Sequence, residues 1–285
     1  MSVLFERVTI AGVGLLGASL GLALKKRGLA GEITGTGRRV STLETALSLG
    51  AIDRIAECPE KGAREADLFV ICTPAAMVVP VLDAIRPHAA PGLVATDVAS
   101  TKGVICRHAA DTWGKGRRFV GSHPMAGSEQ SGPENGSAGL YENTVCLVET
   151  AEDADPEAVA LVQALWRGVG ASVVPMDPAG HDRMLAATSH LPHVAASALA
   201  WCAAEAGGRP EFVGNGFRDT TRIAASRAEI WRDICLTNRE ALAEMLRLYA
   251  QRLDEFSRML SSGDAAGLDV FFEEGRAGRD RMTGR

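Results

Sequence analysis

The segment Arg7-Val8-Thr9-Ile10-Ala11, followed by Gly12-Val13-Gly14-Leu15-Leu16-Gly17, limits the fold of this chain more than any other stretch. A short β-branched run leads into the glycines, and residues 15–27 behind them have helical spacing that stops at Gly28. Strand, GxGxxG turn and helix in that order make a phosphate-binding unit. Gly12 permits the tight turn, Gly14 lets a pyrophosphate approach the backbone, and Gly17 lets helix and strand pack closely. The helix start adds unpaired N–H groups and the positive end of the helix dipole. Gly12, Gly14, Leu15, Leu16 and Gly17 are therefore expected to hold a dinucleotide.

A sheet that prefers NAD places an acid about 20 residues further on, against the ribose 2′-hydroxyl. Here that stretch reads Thr36-Gly37-Arg38-Arg39-Val40-Ser41-Thr42, without an acid. A guanidinium pairs with a 2′-phosphate, which an acid would repel. Arg38, Arg39, Ser41 and Thr42 thus point to NADP over NAD. The alternative is that both arginines are solvated surface charges and NAD is used.

Strand and helix patterns alternate through the first half. Strands are expected at residues 7–11, 32–35, 67–72, 93–97, 119–121, 144–148 and 172–174, with helices at 15–27, 41–49 and 156–167. Such alternation predicts a parallel sheet covered by helices on both faces, a Rossmann-type α/β domain. Thr73-Pro74 stops the apolar run DLFVIC and is counted with the cofactor residues. After Pro175 the pattern changes to Ala-rich helical segments at 191–206, 230–260 and 265–272. The expected division is a dinucleotide-binding domain, 1–175, and an all-α C-terminal substrate and dimerisation domain, 176–285. Leu242, Met245, Leu246, Tyr249 and Leu253 form an apolar stripe that suits either core or a dimer seam.

A net charge of −5 argues against a nucleic-acid binder. The six cysteines form no CxxC pair and several sit in apolar runs, which reads as reduced, mostly structural thiols in a cytoplasmic protein. Glu6 and Arg7 interrupt what would be the apolar part of a signal peptide. No uninterrupted apolar run reaches the roughly 18 residues of a membrane span, so no membrane partner is expected.

Ligands of open α/β sheets bind at the carboxyl ends of the strands. Asp97-Val98-Ala99-Ser100-Thr101-Lys102 ends one strand and opens a helix, which places Ser100 and Lys102 near the nicotinamide, although Ser100 or Thr101 would also serve as a plain N-cap. His123 follows the next strand, in Gly121-Ser122-His123-Pro124-Met125-Ala126-Gly127. A neutral imidazole there can take the hydroxyl proton while hydride leaves carbon.

These residues resemble the prephenate/arogenate (cyclohexadienyl) dehydrogenases of tyrosine biosynthesis. The likeness is carried by the glycine turn, DVASTK, GSHPMAGSEQSG, Thr188-Ser189-His190-Leu191-Pro192-His193 and GFRDTTRIAAS, followed by Trp231-Arg232-Asp233-Ile234 and Asn238, and it spans nearly the whole chain. It implies hydride transfer from the hydroxyl-bearing ring carbon to NADP, or to NAD, with loss of the ring carboxylate. It implies that His123 bonds the ring hydroxyl and that Ser100 bonds both His123 and substrate. Arg222 would grip the ring carboxylate and Glu129 would gate the pocket. Ser189, His190 and His193 would line it, with Asp219 and Trp231 at its mouth, where the family also uses the dimer partner. Arg218, at a position where Lys also occurs in the family, and Lys102 are grouped with the substrate residues. The resemblance further implies a homodimer and a dehydrogenase without a fused chorismate mutase or C-terminal regulatory domain.

Ala99 stands where Gly is frequent in the family's turn, which leaves the choice between a pyruvyl and an alanyl side chain open. His190 and His193 are three apart, but no third ligand has useful spacing, so no metal is expected. A β-hydroxyacid dehydrogenase would need a lysine in the helical half, yet the last lysine is Lys115. A non-enzymatic NADP sensor would have no use for His123, Ser100 and Arg222 together.

Overall fold

A computed structural model describes residues 3–127 and 130–284. In chain order it begins with β1 (Phe5–Ala11), α1 (Leu15–Lys26), β2 (Ala30–Thr36), α2 (Val40–Ser48), β3 (Arg54–Ile55) and α3 (Pro59–Ala63). Then come β4 (Leu68–Ile71), α4 (Val78–Ile85), β5 (Val94–Asp97), α5 (Gly103–Trp113) and β6 (Phe119–Val120). These strands form one parallel sheet in the order β3-β2-β1-β4-β5-β6. The order reverses between β1 and β4, and that switch point opens a crevice beyond the carboxyl ends of both strands.

Both faces of the sheet are covered, as the unbroken apolar run of β4 requires. Leu68 and Val70 pack into one core with Ile10, Leu20, Leu24, Ile33 and Trp166. Phe69 and Ile71 pack into the other with Val78, Leu82, Ile85 and Phe119. Each such side chain contributes roughly 1.5–3 kcal/mol through burial.

The later strands do not extend this sheet. β7 (Ser122–Pro124), β8 (Val145–Glu149) and β9 (Ser172–Met176) form a second one, with α6 (Pro156–Gly168) between β8 and β9. β7 runs antiparallel to β8, and β8 parallel to β9. The strand expected at 119–121 therefore breaks at Gly121, where the chain changes sheets. A Cβ at Gly121 would lie 2.6 Å from Cys106 Sγ, and its N–H donates to the Glu149 carboxylate.

Helices follow: α7 (Pro178–Leu185), α8 (Leu191–Glu205), α9 (Asn215–Thr221), α10 (Ala228–Thr237), α11 (Arg239–Ser262) and α12 (Ala265–Thr283). A π-turn, Ala186–His190, joins α7 to α8. Pro192 has no N–H to offer the Thr188 carbonyl, so the regular ladder is interrupted there. The helix expected over 230–260 is broken at Asn238, whose backbone leaves helical geometry (φ −118°, ψ 36°).

The chain falls into two compact units, Met1–Asn238 and Arg239–Arg285. In the second, Phe256 of α11 meets Phe271 of α12 with ring centroids 5.0 Å apart. Of the apolar stripe, Leu242 is buried, whereas Tyr249 and Leu253 are exposed.

Candidate active site

The glycine turn has the geometry its sequence demands. Gly12 has φ +90°, and a Cβ there would meet the Cys72 carbonyl at 2.7 Å. A Cβ at Gly17 would lie 2.3 Å from the Gly12 carbonyl, which is the close helix–strand approach expected of the third glycine. Gly14 is the N-cap of α1 and offers no side-chain cap, so the amides of Leu15, Leu16 and Gly17 lack side-chain acceptors. A Cβ at Gly14 would meet nothing within 4 Å, which leaves that backbone open to an incoming phosphate.

Two buried hydroxyls beside the turn, Thr36 Oγ1 and Thr73 Oγ1, have no partner among the described residues. Gly12 N donates to the Thr36 carbonyl at 2.8 Å. Pro74 follows Thr73 at the end of β4 and is exposed. Arg38, Arg39 and Ser41 are exposed just beyond β2, and Thr42 is half-buried. A cradle of open amides, unpaired hydroxyls and exposed guanidinium groups fits a phosphorylated dinucleotide.

Asp97 ends β5 at the same edge of the sheet. Its carboxylate accepts from Ser122 N at 3.1 Å and Ala99 N at 3.0 Å, and it holds the Lys102 ammonium. Burial pushes the Asp97 carboxyl up from its ordinary value, against the opposing pull of Lys102 and the two amides. The Lys102 side chain is 3% exposed, so its charge is committed to Asp97. The expected contact of Lys102 with substrate would therefore compete with this ion pair. A lysine at a turn is read as a ligand only because sequence does not reveal which carboxylate lies beneath it. Thr101 Oγ1 donates to Thr237 Oγ1 at 2.9 Å, which ties the turn to α10.

His123 lies on β7, opposite Leu147 of β8. Its Nδ1 is 2.9 Å from His181 Nε2, and His181 Nδ1 is 2.8 Å from Asp182 Oδ1. Asp182 also accepts from the amides of Lys102 at 2.7 Å and Gly103 at 2.8 Å, at the start of α5. Burial opposes charge on Asp182, but the bonds from His181 and the two amides outweigh it and hold the carboxyl below the usual range. Burial drives His123 well below the ordinary imidazole value, with His181, Lys102 and His190 adding to the effect. His123 is thus a neutral base at neutral pH.

The His181 contact occupies Nδ1 of His123, so the bond expected from Ser100 would have to reach Nε2. Ser100 is half-buried, and its hydroxyl makes no hydrogen bond among the described residues. His181 and Asp182 were missed in the sequence. Their signal was an adjacent His-Asp pair in an amphipathic segment that starts at Pro178.

His190 and His193 flank Pro192 and are both buried. His190 Nδ1 is 3.0 Å from Asn238 Nδ2, and Asn238 Nδ2 donates to the Asp182 carbonyl at 2.8 Å. His193 stacks on Trp231, with centroids 3.5 Å apart and planes 12° from parallel. His190 meets the same ring edge-on at 6.2 Å. α8, which carries His193, packs on α9 and on the Arg222–Ala225 turn. Ser189 is half-buried, and Arg218, Asp219 and Arg222 are exposed. Arg218 donates weakly to the Val213 carbonyl at 3.3 Å. Glu129 lies outside the described residues. Among those described, no group of three or more His, Cys, Asp or Glu is arranged to hold a metal ion. No helix among them is long and apolar enough to cross a membrane.

Burial lowers His190 to about 4 and also lowers His193. Unfolded imidazoles titrate near 6.5, so below that pH the unfolded chain binds protons that the folded chain refuses. The stabilisation is complete above about pH 6.5 and is lost as pH falls toward 4. His190 alone should cost about 2–3 kcal/mol by pH 4.5. Urea melts from pH 7.5 to 4.5 measure this loss, and His190→Gln should flatten it. Stability that stays level over this range would contradict the assignment.

Fold and site together define a nicotinamide-dependent dehydrogenase. Comparison with known proteins narrows the class. Residues 20–175 match the model of the prephenate dehydrogenase nucleotide-binding domain, and residues 177–274 that of the prephenate dehydrogenase dimerization domain. Prephenate dehydrogenase of Bacillus subtilis is 31% identical over 287 residues, covering 99% of this chain and 77% of that protein. The prephenate dehydrogenase of Aquifex aeolicus, solved with hydroxyphenyl propionate and NAD+, superposes with a TM-score of 0.89 at 29% identity and covers 99% of both chains. Arogenate dehydrogenase of Synechocystis gives a TM-score of 0.83 at 29% identity, over 97% of this chain and 100% of that one. The chain belongs to the prephenate dehydrogenase family.

Proposed function

We propose that this chain oxidatively decarboxylates prephenate, arogenate or both, with NADP as the preferred hydride acceptor. The observation that carries the reading is a buried, neutral His123 two residues past the junction between the two sheets. When bound, the nicotinamide accepts hydride from the ring carbon that bears the hydroxyl. His123 takes the hydroxyl proton as hydride departs. The ring carboxylate leaves as carbon dioxide, its electrons aromatise the ring, and His123 returns the proton to the same oxygen, now phenolic. Hydride and carbon dioxide are then the only groups lost. Aromatisation makes the reaction favourable, so the protein's work is orientation and proton handling.

Ser100 lies on the turn after β5 and supplies a hydroxyl for the reacting oxygen. Arg222 offers a guanidinium fork for the ring carboxylate. Ser189, His190 and His193 line the pocket, Asp219 and Trp231 stand at its mouth, Arg218 is grouped with the substrate residues, and Glu129 is assigned the gate. Asp97 and Lys102 neutralise each other beneath the turn and hold its shape.

Arg38 and Arg39 support NADP, because each exposed guanidinium can pair with a 2′-phosphate. Residues 1–175 would bind the dinucleotide and 176–285 the substrate and a second copy of the chain. The dimer reading rests on the match to a dimerization domain and on exposed Leu248, Tyr249 and Leu253; a single-chain mass in solution would remove it. A two-by-two assay, prephenate and arogenate each with NAD and NADP, tests the whole. Turnover of at least one substrate is expected, with kcat/KM higher for NADP by about 10- to 100-fold, the worth of one charge-assisted bond. No turnover of either substrate would sink the function, and an NAD preference would sink the cofactor assignment alone.

A further inference from the structure

The two buried histidines have unlike neighbours. Asp182 uses its carboxylate toward His181 and the Lys102 and Gly103 amides. It uses its main-chain carbonyl toward Asn238. An ionised carboxylate and a carbonyl oxygen can only accept, so every group facing Asp182 must donate.

We infer that Asp182 sets opposite hydrogen-bonding polarity on His123 and His190, leaving Nε2 of His123 an acceptor and Nε2–H of His190 a donor. His181 Nδ1 faces the Asp182 carboxylate and carries a proton. With that as its only proton, the ring has its lone pair on Nε2, which lies 2.9 Å from His123 Nδ1. His123 therefore donates from Nδ1, and its own lone pair is on Nε2.

The second chain of contacts runs the other way. The Asp182 carbonyl fixes which end of the Asn238 amide faces it, namely Nδ2 at 2.8 Å. The same nitrogen gives its other hydrogen to His190 Nδ1 at 3.0 Å. His190 must carry its proton on Nε2, which has no acceptor among the described residues. One residue thus presents a base on His123 and a donor on His190, suited to an acceptor oxygen of the ligand. Asp182, His181 and Asn238 are positioning residues that act through the two imidazoles.

The inference rests on the functional reading above only for its use in turnover; the tautomers can be read without substrate. The experiment is a long-range proton–nitrogen correlation spectrum of the full chain labelled with 15N-histidine, at neutral pH. Signals are assigned from His123→Asn and His190→Gln. The expected result is a proton on Nδ1 of His123 and on Nε2 of His190. Either proton on the other nitrogen, or a doubly protonated His181, would overturn the inference.

Kinetics of His181→Phe and His181→Gln provide a second arm. Phe removes the acceptor and should lower kcat on the order of 10²- to 10⁴-fold, as a mis-set tautomer does, with NADP affinity unchanged. Gln retains a carbonyl that can accept from Nδ1 and should restore most of the loss. A Phe variant with unchanged kcat and an unchanged His123 tautomer would also overturn it. If the Phe variant does not fold, the wild-type spectrum decides alone. Correct tautomers together with normal turnover by His123→Asn would refute the functional reading and leave the polarity assignment standing.

Discussion

Replacing His123 by Asn should cut turnover by about 10²- to 10⁴-fold, the usual worth of a positioned general base, and leave NADP affinity unchanged. The Asn amide can still donate to His181 Nε2, so the 2.9 Å contact and the β7–β8 pairing opposite Leu147 are preserved. What disappears is the lone pair at the Nε2 position, the only part of the ring assigned to the reaction. Dinucleotide binding is assigned to the glycine turn after β1 and does not draw on this side chain. Calorimetric titration with NADP and steady-state kinetics on the same preparation separate the two effects. Undiminished kcat would remove His123 from the mechanism, and a parallel loss of NADP affinity would recast it as a structural residue.

Alanine at Gly14 and alanine at Gly17 should fail in different ways. At Gly17 the new methyl would lie 2.3 Å from the Gly12 carbonyl and 3.0 Å from the Ile10 side chain. Backbone cannot yield as a flexible side chain can, so the helix must shift off the strand, at a cost of about 1–3 kcal/mol or more. Gly17→Ala should lower the melting temperature and weaken cofactor binding together.

At Gly14 the methyl meets nothing, and the backbone is extended with negative φ, which alanine adopts without strain. Gly14→Ala should melt close to the wild type yet lose NADP affinity, because the methyl occupies the approach path of the pyrophosphate. Thermal melts with and without NADP check both. Full NADP affinity in Gly14→Ala would mean that the phosphates do not pass over this residue.

The contrast between these glycines also explains what could be read in advance. The turn, its preceding strand and its following helix are neighbours in sequence, so residues 7–28 carry their own geometry. Likewise the doubly buried β4 was legible, because a run such as Leu68–Ile71 is stable only with cover on both faces. The second sheet was not legible. That β7 pairs with β8 rather than extending the first sheet is decided at Gly121, by Cys106 and Glu149 packed against it from distant parts of the chain.

Asn238 breaks a continuous helical pattern for the same kind of reason. Its side chain reaches Asp182 and His190, 56 and 48 residues earlier in the chain. Within the candidate site, His123 was visible from its loop chemistry and from family resemblance. His181 and Asp182 were not, because a buried polar relay has no fixed spacing. The ion pair of Lys102 with Asp97 was not legible either, because no sequence rule says which carboxylate a turn lysine meets.

The junction at Gly121 has a mechanical consequence. Ser122, the first residue of β7, is bonded on several sides: its N–H to Asp97 Oδ1 at 3.1 Å, and its hydroxyl to the Asp97 carbonyl at 2.6 Å, Thr96 Oγ1 at 2.9 Å and Trp166 Nε1 at 2.9 Å. The next residue is His123, so the proposed base rides on a fastened strand rather than on a free loop. Its reach toward a substrate oxygen is fixed before any ligand arrives. Under the proposed role, little reorganisation would remain at the moment of proton transfer, and that economy of motion is where a preorganised site gains its rate.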